Sequence, residues 1–329
     1  MSEVLRVENL RTYFHTKDGD LPAVDGVSFS LEARKVLGIV GESGCGKSVT
    51  SLSIMGLLPS HGAEVMPDSS IRLLGEELVG KSSHQMCRIR GDKISMIFQD
   101  SMTSLNPVMR VGEQLIETIR AHRKISRATA KAEAVEMLRK VGISNPEARM
   151  KNYPHEMSGG MRQRVMIAMA LSCSPAVLIA DEPTTALDVT IQAQILELMM
   201  QLRDKSDMAI ILITHDMGVV AETADEIMVM YTGRVVEYGT AAQIFRDPLH
   251  PYTQGLLASI PRVDQKVETL HVTKGMVPNL FELPKGCKFA DRCPHAASRC
   301  FEAEPELSST DGHLVRCFLH EKGKGNNGT

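Results

Sequence analysis

Apolar and polar residues alternate through the first hundred positions, as at Val27, Phe29 and Leu31. That period of two is the mark of half-buried strands, so a strand-rich start is expected. Four runs break the alternation by being apolar throughout or, at Ile94 to Phe98, apolar but for Ser95: Val36 to Val40, Ile94 to Phe98, Val177 to Ala180 and Ala209 to Ile213. Runs of this kind suit strands buried on both faces, and the long helical patterns between them give the layout of a parallel sheet with crossover helices. From Met102 to Ser174 the period changes. Ala130, Ala134, Met137, Leu138 and Val141 recur at helical spacing among charged residues, which predicts an inserted helical unit. Glu226 to Gly239 reads as a hairpin turning at Thr232-Gly233. Beyond Pro261 the periodicity fades, and the tail from Glu321 is expected to be disordered. The fold class is therefore α/β.

Composition narrows the function. The chain has 329 residues with 43% hydrophobic content, enough for roughly two domains. Lys and Arg number 37 against 40 for Asp and Glu, without the basic excess that backbone phosphates attract, so nucleic acid is not an expected partner. The longest apolar runs fall far short of the ~20 residues a spanning helix needs, and Met1 to Val4 lacks a signal-peptide pattern. A soluble intracellular protein is expected. Of seven cysteines, Cys45, Cys87 and Cys173 are scattered, whereas Cys287, Cys293, Cys300 and Cys317 crowd the end of the chain. In a reducing compartment such a cluster reads as a metal site.

Three segments carry chemistry. Gly41-Glu-Ser-Gly-Cys-Gly-Lys47-Ser48 matches the phosphate-loop pattern between a predicted strand and a helical run from Val49 to Leu58. Glycines let backbone N–H groups wrap a polyphosphate, Lys47 brings a positive charge, and the Ser48 hydroxyl reaches Mg²⁺. Gly41, Ser43, Gly44, Cys45, Gly46, Lys47, Ser48 and Val49 are the candidate nucleotide contacts. Next, the strand Val177 to Ala180 ends in Asp181 and Glu182. Neighbouring strand side chains point to opposite faces, so one acid can face Mg²⁺ and the other a nucleophilic water. Alone, this pair is as compatible with a solvated strand end; the upstream phosphate loop tips the balance. Last, Ser158-Gly159-Gly160-Met-Arg162-Gln163 opens a helical stretch read as Arg164 to Cys173, a second cluster of N–H groups at a helix start.

Together these segments resemble the ATP-binding subunit of an ABC transporter, over nearly the whole chain. The resemblance implies an ATPase fold with a P-loop NTPase (RecA-like) core, an N-terminal antiparallel β subdomain, an inserted helical subdomain and a small Cys-rich C-terminal extension. The expected divisions are 1–100 with 175–262 for the core, 101–174 for the helical part and 263–329 for the extension. It assigns Gln99 to the Q-loop that touches Mg²⁺ and reports to membrane subunits, Ala186-Leu187-Asp188 to the D-loop, and His215 to the switch that meets the γ-phosphate. Glu182, His215, Lys47 and Gln99 become the catalytic set; Ser48, Gln99 and Asp181 the Mg²⁺ set. Ser158, Gly159, Gly160 and Asp188 would contact nucleotide, Ser158 to Gly160 doing so on an opposing subunit. Adenine would stack on an aromatic near the start of the chain, Phe14 in preference to Tyr13.

His250-Pro-Tyr-Thr253 with Leu256-Leu257 and the cysteine-rich end resembles the oligopeptide and dipeptide import branch, the dipeptide type in particular. Met157 and Met161 depart from the general signature pattern. Spacings of five, six and sixteen residues between the last four cysteines include no Cys-x-x-Cys pair, which argues against a common zinc site. The resemblance instead implies a structural 4Fe-4S cluster on Cys287, Cys293, Cys300 and Cys317, with zinc or free thiols as alternatives. It further implies a homologous second ATPase subunit, two membrane permease subunits, an extracytoplasmic solute-binding protein and a peripheral place on the cytoplasmic face of the membrane. Import of nickel, glutathione or oligosaccharides, and a soluble non-transport ABC ATPase, are the alternative functions. A P-loop kinase or GTPase would not need residues 158–163.

Overall fold

The computed structural model describes residues 2–59, 61–99, 104–183, 189–259 and 275–321. Two fourteen-residue strands, β1 (Glu3–Thr16) and β2 (Gly19–Glu32), pair antiparallel so that Val7 faces Phe29 and Leu10 faces Val27. The expected alternation at Val27, Phe29 and Leu31 is buried, with exposed serines between. Short strands β4 (Ala63–Val65), β5 (Ser70–Leu73) and β6 (Glu76–Glu77) complete a five-stranded antiparallel sheet.

The larger sheet is built on the continuous apolar runs. They form β3 (Val36–Val40), β7 (Ile94–Ile97), β8 (Val177–Asp181) and β9 (Ala209–Ile213), and β3, β8 and β9 are buried at every position. An apolar face on each side is what these strands have in place of alternation, because helices cover both faces of a parallel sheet. Neighbours β10 (Glu226–Tyr231), β3, β9, β8 and β7 run parallel in that order, and β11 (Arg234–Thr240) returns antiparallel through the Thr232-Gly233 turn. Thr232 and Gly233 take φ of 43° and 78°, the pair of positive values a two-residue hairpin loop demands.

Helices Val111–His122, Arg127–Lys140 and Gly159–Leu171 pack as a group through Leu115, Ile119, Ala134, Leu138, Val165 and Ile167. The same apolar cluster continues into Val36, Leu178 and Ile210 of the sheet. Each such Leu, Ile or Val side chain contributes about 1.5–3 kcal/mol on burial, so the helical group is anchored rather than tethered.

The C-terminal stretch departs from expectation. Its weak periodicity conceals a hairpin, β12 (Ser308–Thr310) and β13 (His313–Val315), that extends the large sheet beyond β11. The turn is Asp311-Gly312 at φ 52° and 80°, a two-residue hairpin signal that the sequence displays. Glu237 of β11 locks the arrangement. Fully buried, it accepts from the backbone N–H groups of Leu249 (2.7 Å) and His250 (2.9 Å) and pairs with His313 Nε2 at 2.8 Å. One carboxylate thus joins the His250-Pro-Tyr-Thr segment and the tail to the sheet. The expected disorder beyond Glu321 falls outside the described residues. No helix among the described residues is long and apolar enough to cross a membrane.

Candidate functional site

All the predicted chemistry on β3, β7, β8 and β9 sits at or just beyond their carboxyl ends, where open parallel sheets place their ligands. After β3 the chain enters residues 41–46 and then the helix Lys47–Met55. Gly46 is the N-cap at φ 100°, and a Cβ there would lie 2.5 Å from the Ala23 carbonyl, so only glycine fits. No side chain caps this helix and no acid occupies its first turn, which leaves its amide end facing an incoming anion. Ser43 and Gly44 form the exposed tip; Gly41, Cys45, Gly46 and Lys47 are buried, Ser48 and Val49 half-buried. Lys47 Nζ donates to the carbonyls of Gly41 (2.7 Å) and Glu42 (3.0 Å). The Cys45 side chain belongs to the core, and burial pushes its thiol up, so it offers nothing to a ligand through sulfur.

Ser48 Oγ donates to Asp181 Oδ1 at 3.2 Å. Asp181 is buried, and desolvation raises its carboxyl above the ordinary range, an effect the Ser48 bond opposes. A hydroxyl and one carboxylate suit Mg²⁺, which takes few protein ligands and completes its shell with phosphates and water.

Glu182 stands apart from its neighbour by a backbone device. Its φ is 45°, and its N–H donates to the Ile213 carbonyl at 2.9 Å, locking the strand end in the left-handed region. Strand alternation was expected to separate the two acids; this turn does so instead. A non-glycine residue held there costs on the order of 1 kcal/mol, and such strain gathers at functional sites. The turned carboxylate accepts from Gln99 Nε2 at 2.8 Å and pairs with His215 Nδ1 at 3.2 Å. Gln99 follows β7, Glu182 follows β8 and His215 follows β9, so three strand ends converge on one carboxylate.

Ser158 is exposed and caps the helix Gly159–Leu171, accepting from the Met161 N–H at 3.3 Å. That helix starts before the Arg164 expected from sequence. Glycine is unfavourable inside helices, but the first turn tolerates it once Ser158 satisfies an amide. Gln163 was quoted in the motif without a role. It is buried and its amide donates to the Pro183 carbonyl, tying this helix to the turn that carries Glu182. Tyr13 and Phe14 are half-buried neighbours on β1, opposite Pro22 and Leu21 of β2 respectively. Ala186, Leu187 and Asp188 lie outside the described residues.

The last four cysteines are free, half-buried and line one cavity of about 50 Å³ with Phe289 and Leu319. Burial holds Cys287 at about 11 and raises Cys293 and Cys317. Among the described residues no group of three or more His, Cys, Asp or Glu could hold a metal ion. The thiols therefore share a cavity without forming the coordination sphere of a single ion, and the expected cluster or zinc gains no support from this geometry.

Comparison with known proteins fits the site. Residues 24–185 match the ABC transporter family, and residues 236–300 match the C-terminal region of oligopeptide/dipeptide transporters. The oligopeptide transport ATP-binding protein AppD of Bacillus subtilis is 54% identical over 98% of both chains. The dipeptide transport ATP-binding protein DppD of the same organism is 52% identical, over 98% of this chain and 96% of its own. OppD of Escherichia coli is 52% identical over 96% of this chain and 93% of its own. Among solved structures, the ATP-binding cassette MJ0796, dimeric and bound to ADP and Pi after hydrolysis, superposes with a TM-score of 0.64 at 25% identity, covering 72% of this chain and 98% of its own. The chain belongs to the ABC transporter ATP-binding proteins, in the branch that serves oligopeptide and dipeptide transport.

Proposed function

We propose that this chain is the ATP-hydrolysing subunit of an importer for di- and oligopeptides, driving separate membrane subunits. The observation that carries the reading is the convergence of Gln99, Glu182 and His215 beside the Ser48–Asp181 pair, at the mouth of the phosphate loop. Glu182 is placed to accept a proton from an attacking water, oriented by its contacts to Gln99 and His215. Lys47 and His215 meet negative charge building on the transferred phosphoryl oxygens. Ser48 and Asp181 would hold Mg²⁺, with Gln99 reaching it, and the ion would neutralise phosphate charge when bound.

The exposed, Ser158-capped helix is left to serve nucleotide held by a second, homologous ATPase subunit, with Asp188 at the same seam. Tyr13 or Phe14 would stack on adenine, Phe14 being our choice. Gln99 would pass the nucleotide state to two permease subunits, placing the chain peripherally at the membrane, with a solute-binding protein delivering substrate from the other side. Peptide as cargo is supported by the match of residues 236–300 and by relatives named for peptides. A structural 4Fe-4S cluster on Cys287, Cys293, Cys300 and Cys317 rests on the resemblance alone and draws nothing from the cavity they share; iron and sulfide analysis of anaerobically purified protein tests it. The test of function is uptake into vesicles holding the reconstituted transporter with ATP inside. Labelled di- and tripeptides should accumulate, while nickel, glutathione and oligosaccharides should not; the reverse pattern would overturn the cargo assignment.

A further inference from the structure

Glu42, the second residue of the phosphate loop, is held from three directions, two of them by parts of the chain far away in sequence. Its backbone N–H donates to the Tyr252 hydroxyl at 2.8 Å. Its carboxylate receives both arms of the Arg292 guanidinium, at 2.9 and 3.0 Å across 250 residues of sequence. Its carbonyl is one of the two that carry the Lys47 ammonium. Tyr252 is the tyrosine of the His250-Pro-Tyr-Thr segment and is fully buried. Arg292 ends the 3₁₀ turn Ala290–Arg292, next to Cys293, and its side chain is only 7% exposed.

The grip is rigid. Arg292 also donates to the Tyr231 hydroxyl at 3.3 Å and lies 5.8 Å over the rings of both Tyr231 and Phe289. Tyr231, Tyr252 and Phe289 pack against one another with centroids 4.8 to 5.4 Å apart. A bidentate, largely desolvated guanidinium–carboxylate pair is among the stronger side-chain contacts and fixes orientation as well as distance. Three of the six residues from Gly41 to Gly46 are glycine, so the loop by itself has much backbone freedom to lose when it closes on phosphates. Ordering it in advance removes that cost from nucleotide binding.

We propose that Arg292 and Tyr252 are positioning residues of the nucleotide site, through which the C-terminal extension and the His250-Pro-Tyr-Thr segment before it pre-set the phosphate loop at Glu42. The extension is thereby a working part of the ATP site and not an appendage to it. The idea rests on residues 41–48 being the nucleotide cradle, and its test separates the two. Mg-ATP is titrated calorimetrically into the full-length chain. Failure of the wild-type chain to bind would sink the cradle reading itself.

With wild-type binding in hand, Arg292→Met and Glu42→Gln should each weaken affinity about 5- to 10-fold. The double variant should be no weaker than the worse single one, since both changes cut the same tie. Arg292→Lys should recover part of the loss. Tyr252→Phe keeps the aromatic packing, removes only the acceptor for the Glu42 N–H, and should weaken affinity about 2- to 3-fold; it serves as the test if the charge variants fail to fold. Affinity within 1.5-fold of wild type in folded Arg292→Met or Tyr252→Phe, or additive losses in the double variant, would overturn the proposal.

Discussion

Asp181 and Glu182 are neighbours in sequence with different surroundings. Asp181 is buried beside Ser48, and desolvation raises its carboxyl above the ordinary value. A carboxyl raised in the folded state binds its proton more tightly there than in the unfolded chain. Its ionised form therefore costs stability as pH rises through and above the carboxylate range. Asp181→Asn should raise the Tm of the metal-free chain by about 2 °C at pH 7, with the gap closing as pH falls through that range. Calorimetric melts across pH, with and without Mg-ATP, check this; with Mg-ATP the order should invert, because the variant loses a cation ligand. The roles proposed for these residues were legible because phosphate loops and acid pairs are short, local patterns. Arg292 was not, since nothing local in Cys287 to Cys293 points 250 positions back to Glu42.

At the level of elements, the four apolar runs located the parallel strands because a strand buried on both faces has little choice of residue. The helix start at Gly159 was less legible, as glycine's poor propensity masks what a serine cap permits. The tail hairpin was hidden by its shortness. Two three-residue strands carry almost no periodic signal, and only Asp311-Gly312 gives them away. Glu237 holds that hairpin and the His250 segment together. Glu237→Ala leaves two backbone donors and His313 unpartnered in the core, so it should cost about 3–5 kcal/mol in urea denaturation. Loss below about 1 kcal/mol would mean that the tail is held by its sheet pairing and apolar contacts without need of this carboxylate.

For the whole molecule, the exposed Ser158 end and the phosphate loop make sense as halves of two composite sites. Ser158→Arg should leave the chain's own Mg-ATP affinity within about twofold, while ATP turnover of the assembled transporter falls at least about tenfold. Parallel loss of affinity in the isolated chain would show Ser158 serving its own nucleotide instead. The central claim is that Glu182, turned by its strained backbone toward Gln99 and His215, drives ATP cleavage for transport. The most direct measurement is ATP turnover by the reconstituted transporter carrying Glu182→Gln in this chain, beside Mg-ATP binding by the same variant. Turnover at this chain's site should fall at least about 100-fold with binding retained; turnover equal to wild type would contradict the account.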